Sequence, residues 1–371
     1  MTTTVDVIVP VYRGLEETRR CLDSLLANAQ RTSFAIVAID DASPEPGIVA
    51  YLDDLAAHGK IELLRNDQNL GFVRTVNRGL ALHADRDVLL LNSDTEVAGD
   101  WLDRMRACAY REPDIGTVTP FSNNATICSY PFEGWTGGTP GTLGLAGLDR
   151  VFASVNAGRR ADLPTAVGFC MYIRRACLDA VGAFDAERFG RGYGEENDFC
   201  LRAAAAGWRS VLAADVFVFH EGAVSFSGER DALTRAATTA LLDRHPEYSR
   251  AIEDFQAADP LRPLRLAVDD ARHALGGDEA RQVCAERNDE HALVVTRETA
   301  ALQAALAHAQ RMIAERDAEI AKLTAAFQHA EALALERGRD LERILGSPLV
   351  KVLRPLARLR RRVTRGKAGP G

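Results

Sequence analysis

Strand and helix signals alternate along the first hundred or so residues, and this alternation constrains the fold more than any other feature of the sequence. Four short apolar segments, each rich in Val, Ile or Leu, have the length of buried strands. The predicted strands are 5–12, 34–39, 61–64 and 88–91, and the predicted helices between them are 16–28, 47–58 and 72–84. A β-α-β order of this kind predicts an open parallel sheet with helices on both faces.

Polar residues follow three of these strands at the points where the strands end. Tyr12 follows the first strand, Asp40 and Asp41 follow the second, and the stretch "LLLNSDTE" turns polar at Asn92 and reaches Asp94. Ligands bind at the carboxyl edge of such sheets, so we expect these side chains to meet a ligand. A second reading of Asp94 is a helix cap, because "SDTE" has the spacing of a capping box.

The second half of the chain adds two predicted strands and an acidic helix start. The strands are 166–173 and 211–219, and the second of them stops at His220. Glu195, Glu196 and Asp198 open a predicted helix over 193–206. Three acids in four residues exceed what helix capping needs, and crowded carboxylates raise one another's pKa, which suits a general base.

Asp94 and His220 both follow strands, although they are far apart in the sequence. A carboxylate oxygen and an imidazole nitrogen together suit Mn²⁺ or a similar divalent ion. A lone histidine is often structural, so this reading of His220 competes with a packing role. Residues 134–147, "GWTGGTPGTLGLAG", predict a loop that is either a plain connector or a lid over the site.

Composition excludes some classes of function. The formal net charge of −7 argues against a nucleic-acid binder. The seven Cys are odd in number and lack CxxC spacing, so we expect reduced thiols in a cytosolic protein and no zinc site. The first residues show no targeting pattern, and no apolar run reaches the roughly 20 residues that span a bilayer.

The C-terminal third has a different pattern, in which apolar residues are spaced alternately by four and three. They are Leu302, Leu306, Ala309, Ile313, Ile320, Leu323, Phe327, Ala330, Ala334, Leu341 and Ile344, with Arg316 and Arg337 interrupting the series. The spacing predicts a long amphipathic helix over 296–346 that self-associates as a coiled coil. The alternative is a helix packed on its own domain.

The tail over 347–371 is basic and amphipathic. In "VKVLRPLARLRRRVTRGK", eight basic residues alternate with apolar ones and no acidic residue is present. A solvated tail is one interpretation, and binding to an anionic membrane surface is the other.

The ordered motifs of residues 5–226 identify a family. The chain resembles the family 2 glycosyltransferases, inverting enzymes of GT-A fold, and within them the bacterial rhamnosyltransferase-like enzymes of surface polysaccharide assembly. The motifs that carry the resemblance are "VIVPVYRG", "IDDAS", "NLGFVRTVNRG", "LLLNSDTEV", "TPFSNNATICSYP", "VGFCMYIRR", "GAFD", "GYGEENDFCLRAAAAGW" and "FVFHEG". The implied fold class is α/β, a Rossmann-like nucleotide-binding open sheet of GT-A type with a C-terminal helical, coiled-coil extension.

The resemblance implies a role for each motif residue. The nucleotide-sugar would be bound by Pro10, Tyr12, Asp41, Asn69, Gly71, Arg74, Asn77, Asn92 and Ser93. Asp94 stands at the last position of the family's DxD motif and would bind Mn²⁺ or Mg²⁺ with His220, while Asn92 replaces the first acid of that motif. Glu196 matches the general base, where the family often has Asp, and Glu195 is the alternative.

The same resemblance implies the reaction. Asp198 would orient the helix start or the acceptor, and Glu196 would activate an acceptor hydroxyl that displaces a nucleoside diphosphate with inversion. The acceptor would be a glycan or a lipid-linked glycan. The alternatives are a catalytically silent scaffold and a nucleotidyltransferase; the latter is disfavoured because "PVYRG" replaces its Gly-rich basic loop.

We expect the chain to consist of four segments. They are a GT-A domain over 1–250, a helical linker over 251–295, the amphipathic helix over 296–346 and the basic tail over 347–371. The expected location is the cytoplasm, with peripheral binding to the inner face of the plasma membrane through the tail.

Overall fold

The structure, a computed structural model, describes residues 4–190, 192–222 and 230–355. The strands are β1 (Val5–Val11), β2 (Phe34–Asp40), β3 (Glu62–Arg65), β4 (Asp87–Leu91), β5 (Thr95–Glu96), β6 (Ile115–Ser122), β7 (Arg160–Leu163), β8 (Cys170–Ile173) and β9 (Arg209–His220). The helices are α1 (Leu15–Ala27), α2 (Pro46–Ala57), α3 (Phe72–Leu80), α4 (Trp101–Ala109), α5 (Gly144–Val155), α6 (Arg175–Val181), α7 (Ala186–Phe189), α8 (Glu195–Ala205), α9 (Arg230–Arg244), α10 (Tyr248–Ala258), α11 (Arg262–Ala274) and α12 (Gly277–Gly346).

The strands form one open mixed sheet. Its order is β3-β2-β1-β4-β8-β6-β9-β5, and β7 also pairs with β9. The first four strands are mutually parallel, as predicted, whereas β8 runs antiparallel to both β4 and β6. The direction in which successive strands are added reverses between β1 and β4, since β2 and β3 lie on one side of β1 and β4 lies on the other. In α/β sheets the carboxyl ends of the strands at such a point form the ligand crevice.

Strict alternation of side chains explains why the central strands are apolar throughout. In β1, Val7 and Val9 pack into the core on one face and Ile8 packs into the core on the other. In β4, Leu89 and Leu90 divide between the two cores in the same way. Helices α1 and α2 cover the first face and α3 covers the second, so a two-sided sheet buries continuous hydrophobic runs. The predicted α/β fold class with a C-terminal helical extension is confirmed.

The chain divides into two compact units, Met1–Glu290 and His291–Gly371. The first unit includes α10, α11 and the first turns of α12, and Leu261, Leu264 and Val268 lie in its core. The boundaries that we predicted at 250, 295 and 346 stay predictions. Helix α12 runs to Gly346, and residues 356–371 of the basic tail lie outside the described residues.

A search of the described residues for membrane-crossing helices found none with the necessary length and apolar character.

A buried ionic cluster fastens the start of α12 to the first unit. The Arg272 guanidinium is fully buried and pairs with the carboxylates of Glu279 and Glu286. It also donates to the Tyr130 hydroxyl at 2.7 Å. Glu279 in turn accepts the backbone N–H of Thr142 at 2.6 Å, so this cluster also anchors the end of the predicted Gly-rich loop.

Replacing Arg272 with Ala leaves two carboxylates buried without their cation, and we expect it to lower the free energy of unfolding by about 3–5 kcal/mol. The matched control is Arg281→Ala, because Arg281 pairs with Asp278 at the surface and both side chains are exposed. We expect the control to stay within about 0.5 kcal/mol of the wild type. Urea unfolding of both variants measures the difference, and equal stabilities would contradict the structural role given to the cluster.

Candidate active site

The pairing of β5 with β9 brings Asp94 and His220 together. Thr95 lies opposite His220 in an antiparallel register. The Asp94 carbonyl accepts the Glu221 N–H at 2.9 Å, and its carboxylate Oδ2 accepts the Gly222 N–H at 3.1 Å. The other carboxylate oxygen, Oδ1, lies 3.5 Å from the Nε2 of His220. Two residues more than a hundred positions apart therefore share one point at the carboxyl edge of the sheet.

The tautomer of His220 follows from its other nitrogen. Nδ1 lies 2.7 Å from the carbonyl oxygen of Asn124, and since a carbonyl only accepts, Nδ1 must donate. In the neutral ring Nε2 then carries a lone pair, which faces the Asp94 carboxylate. Two acceptors at this distance repel each other, and a cation bound to both would remove the repulsion. Both side chains are only about one-seventh exposed, at 14% and 13%.

Two asparagines and a phenylalanine hold His220 in place. The Asn123 amide accepts the His220 N–H at 2.8 Å and donates to the His220 carbonyl at 3.0 Å. The same amide donates to the Gly137 carbonyl at 2.7 Å, which links the Gly-rich loop to the histidine. Phe169 stacks on the imidazole with ring centroids 5.1 Å apart and planes 17° apart.

The acidic helix start is the second part of the site. Glu195 and Glu196 begin α8 behind Gly194, whose φ of 112° favours glycine. Glu195 is buried, and its Oε2 has no hydrogen-bond partner. Glu196 is half-buried and accepts the Gly194 N–H at 3.2 Å and the Asn197 amide at 3.3 Å. Burial, and then the Glu196 charge, raises the pKa of Glu195 well above its usual value; burial raises the pKa of Glu196 as well.

The segment Gly168–Phe169 connects the two parts. A Cβ atom at Gly168 would meet the Glu196 side chain at 3.5 Å, while the next residue, Phe169, stacks on His220. The Phe169 carbonyl also accepts the Asn92 N–H at 2.8 Å. The carboxylate of the helix start and the Asp94–His220 pair thus flank two consecutive residues.

Asp198 faces away from this edge. It is fully buried, and its carboxylate binds Arg202 at 2.7 Å, Arg244 at 3.1 Å and His245 at 3.0 Å. These contacts tie α8 to the end of α9 and to the residue that follows it. They are the contacts of a positioning residue, and the predicted role of Asp198 toward the acceptor stays a prediction.

Asp41 organises the loop between β3 and α3. Its Oδ1 accepts the Asn66 amide at 2.6 Å and the Leu70 N–H at 2.8 Å, and its Oδ2 accepts the Gly71 N–H at 3.0 Å. Gly71 has a φ of 82° and precedes the first turn of α3, where Arg74 is exposed. The predicted contact of Asp41 with a base stays a prediction.

The other predicted nucleotide residues lie along the same edge with one exception. Pro10 is in β1, Tyr12 follows it, and Asn92 and Ser93 follow β4. Asn69 is exposed in the loop before α3. Asn77 instead holds α3 to the backbone of Phe184, to whose carbonyl it donates at 2.8 Å and whose N–H it accepts at 3.1 Å.

Sequence reasoning assigned no role to Asn123, Asn124, Gly168, Phe169 or Tyr248. Tyr248 packs against the core cluster that contains Phe199 and Cys200 of α8. Burial first, and the Glu196 charge second, raise the pKa of Tyr248 to about 12. The two asparagines, Gly168 and Phe169 lie in the quoted motifs "TPFSNNATICSYP" and "VGFCMYIRR", so the sequence marked these segments. Only the fold shows what the four residues contact.

Residues 6–181 match the family described as glycosyl transferase family 2. This part of the chain is similar to that family. The match includes Asp94 and ends before Glu195, Glu196 and His220.

The chain is similar to the O-antigen biosynthesis protein RfbC of Myxococcus xanthus, with 26% identity over 76% of this chain. The chain spans about a quarter of that relative's length, at 24%. N-acetylgalactosaminyltransferase 7 of Drosophila melanogaster is 29% identical over 22% of this chain and 14% of its own.

One similar solved structure is the mannosyltransferase PcManGT from Pyrobaculum calidifontis in complex with GDP-Man and Mn²⁺. It is 16% identical, with a TM-score of 0.46 over 80% of this chain and 81% of its own.

A pH-dependent stability should follow from the burial of Glu195. Because its pKa is raised in the folded state, Glu195 contributes stability that is present below its unfolded pKa and is lost as pH rises through the folded value. Glutamine cannot ionise, so the stability of Glu195→Gln relative to the wild type should increase from pH 5 to pH 8. Urea midpoints at the two pH values measure this, with the exposed Glu62→Gln as the control. A difference that is independent of pH would show that Glu195 ionises as readily in the folded protein as in the unfolded chain, and so that its pKa is not raised by folding.

Proposed function

We propose that this chain transfers a sugar from a nucleoside-diphosphate sugar to a hydroxyl group of a glycan, with inversion at the anomeric carbon. The single observation that carries the proposal is the placement of Glu196 and the Asp94–His220 pair on either side of Gly168–Phe169. Inversion needs a base for the acceptor and a charged site for the leaving group on opposite sides of one sugar, and the closeness of both candidates to Gly168–Phe169 supports these roles.

Asp94 and His220 fit a divalent metal ion by their chemistry. Both present lone pairs to one point, and the carboxylate–imidazole donor set suits Mn²⁺. No cluster of three or more His, Cys, Asp or Glu side chains suited to a metal occurs in the described residues, so the protein would supply two ligands and the diphosphate others. When bound, the ion would neutralise charge on the departing diphosphate.

Glu196 is the proposed general base. Glu196 is partly exposed, whereas Glu195 is buried, so Glu196 is the more accessible of the two to an acceptor. The raised pKa of Glu196 strengthens it as a base near neutral pH. The acceptor oxygen forms a bond to the anomeric carbon, the bond from that carbon to the diphosphate breaks, and the hydroxyl proton moves to Glu196. The Gly194 N–H and the Asn197 amide bind this carboxylate and position it.

The nucleotide would lie along the carboxyl ends of β1, β2 and β4. Asp41 holds the loop to Gly71, and Arg74 on the first turn of α3 would face the diphosphate. We assign nucleotide-sugar contacts to Pro10, Tyr12, Asp41, Asn69, Gly71, Arg74, Asn92 and Ser93. The contacts of Asn77 with Phe184 give it the indirect role of fixing α3.

Surface polysaccharide assembly is the proposed setting. The similarity to an O-antigen biosynthesis protein supports it, over about a quarter of that relative. A lipid-linked glycan at the inner face of the plasma membrane would suit the basic tail, in which the described Leu349, Val352 and Leu353 are exposed.

Release of nucleoside diphosphate from a panel of nucleotide sugars, with Mn²⁺, with Mg²⁺ and with chelator, tests the reaction. We expect one donor to turn over slowly with water and the chelator to abolish turnover. Asp94→Ala should lower the rate of nucleoside diphosphate release at least about 100-fold. Once an acceptor is found, Glu196→Gln should lower the transfer rate about 10²–10⁴-fold. The matched controls are Asp54→Ala and Glu62→Gln, at exposed positions remote from this edge.

Wild-type turnover in Asp94→Ala would contradict the proposed metal site. No metal-dependent turnover or donor binding across the panel would favour a catalytically silent scaffold that acts through its long helix and tail.

The clamp on His220 predicts a difference between two neighbouring asparagines. Asn123→Ala removes the amide that holds the His220 backbone, and we expect the Mn²⁺ concentration for half-maximal activity to rise about 10–100-fold. Asn124→Ala keeps the backbone carbonyl that fixes Nδ1, so it should stay within about threefold of the wild type. Equal Mn²⁺ requirements in the two variants would contradict the clamp.

A further inference from the structure

The second unit of the chain includes an apolar stripe along α12 that is exposed in the described part of the chain. Eight large apolar side chains of this stripe are each at least 60% exposed. They are Leu302, Leu306, Ile313, Ile320, Leu323, Phe327, Leu341 and Ile344. An exposed stripe of this length marks an interaction surface.

The spacing of the residues in the stripe indicates what kind of partner can cover it. From Leu302 to Ile344 the positions of the stripe alternate in spacing between four and three residues, with Arg316 and Arg337 at two of them, which is the seven-residue repeat of a left-handed coiled coil. Such a surface needs a helix of equal length with the same repeat. Among the described elements the next longest helix is α9, with 15 residues, so the occupant that this chain can supply is α12 of a second copy.

A parallel pairing in register would place identical residues opposite each other. Arg316 would then meet Arg316, and Arg337 would meet Arg337, in two layers of the seam. Three further layers would pair alanine with alanine, at Ala309, Ala330 and Ala334. Like charges and thin layers both weaken a coiled coil.

We propose that α12 pairs with a second copy in the antiparallel direction, with Leu306 opposite Ile344 of that copy. This alignment matches large residues with small ones. Ala309 then lies opposite Leu341, Ala330 lies opposite Ile320, and Phe327 packs against Leu323. No layer from Leu306 to Ile344 pairs two alanines.

The same alignment places each arginine near an acid. Arg316 lies opposite Ala334 of the second copy, whose small side chain leaves room for the guanidinium. Counting about 1.5 Å per residue, Glu331 of the second copy is about 4.5 Å further along the axis. Arg337 of the second copy is similarly about 6 Å from Asp317. Two interchain ion pairs therefore form at each end of the paired region.

Distances between spin labels on the full-length chain test the direction. The labels are introduced by Gln303→Cys or Ala326→Cys in a background that lacks Cys108 and Cys284, the two cysteines that are not buried. Gln303 lies opposite Ser347 in the proposed alignment, so its two labels should be about 66 Å apart along the axis, while those at position 326 should be within about 20 Å. A separation below about 25 Å at position 303, or a monomer or trimer by light scattering, would overturn the proposal.

Charge reversal tests the register. Asp317→Arg and Arg337→Asp should each raise the dissociation constant of the dimer about tenfold, and the double variant should return to within about threefold of the wild type. In a parallel dimer these two positions are about 30 Å apart, and their effects would simply add. Additive effects in sedimentation equilibrium would therefore overturn the register. Neither experiment depends on the glycosyltransferase reaction.

Discussion

The antiparallel pairing of β5 with β9 is the interaction on which the site depends. The two residues of β5, Thr95 and Glu96, pair with His220 and Phe219 at the end of β9, and this register sets Asp94 beside His220. The carboxyl ends of parallel strands bring together side chains of neighbouring strands, and β4 and β9 are not neighbours in the sheet. The short return strand folds the chain over that edge and adds a residue from the far end of the domain. Phe169, Asn123 and Asn124 then fix the imidazole.

Buried acids divide into two groups by the partners that the fold gives them. Asp41 and Asp198 each have both carboxylate oxygens bound. Loop N–H groups and an amide bind Asp41, and the side chains of Arg202, Arg244 and His245 bind Asp198. Glu195 has an oxygen without a partner, next to a second carboxylate. A buried carboxylate oxygen without a hydrogen-bond partner lowers the stability of the fold, and such groups cluster at functional sites. This contrast separates the acids that hold the fold together from the pair that we assign to chemistry.

The strands and helices of the first half could be predicted, because runs such as "DVLLL" have one physical solution in a two-sided sheet. The position of Asp94 at a strand end followed from the same pattern. Its proximity to His220 could not be derived from the residues, since it depends on a two-residue strand. The tie of Asp198 to Arg244 and the role of Gly168–Phe169 were likewise hidden, because they join elements distant in sequence. The packing of Leu261, Leu264 and Val268 on the first unit was missed, since a helical repeat alone does not say what covers it.

The proposed metal site requires Asp94 and His220 to bind one cation, and Mn²⁺ bound to the full-length protein can report on this directly. Pulsed electron paramagnetic resonance detects the nitrogen of a coordinated imidazole, measured here with Mn²⁺ and each common nucleoside diphosphate. We predict a nitrogen coupling in the wild type that is lost in His220→Ala and kept in His245→Ala, whose ring binds Asp198 instead. Bound Mn²⁺ without nitrogen coupling, or with a coupling that survives in His220→Ala, would contradict the central claim.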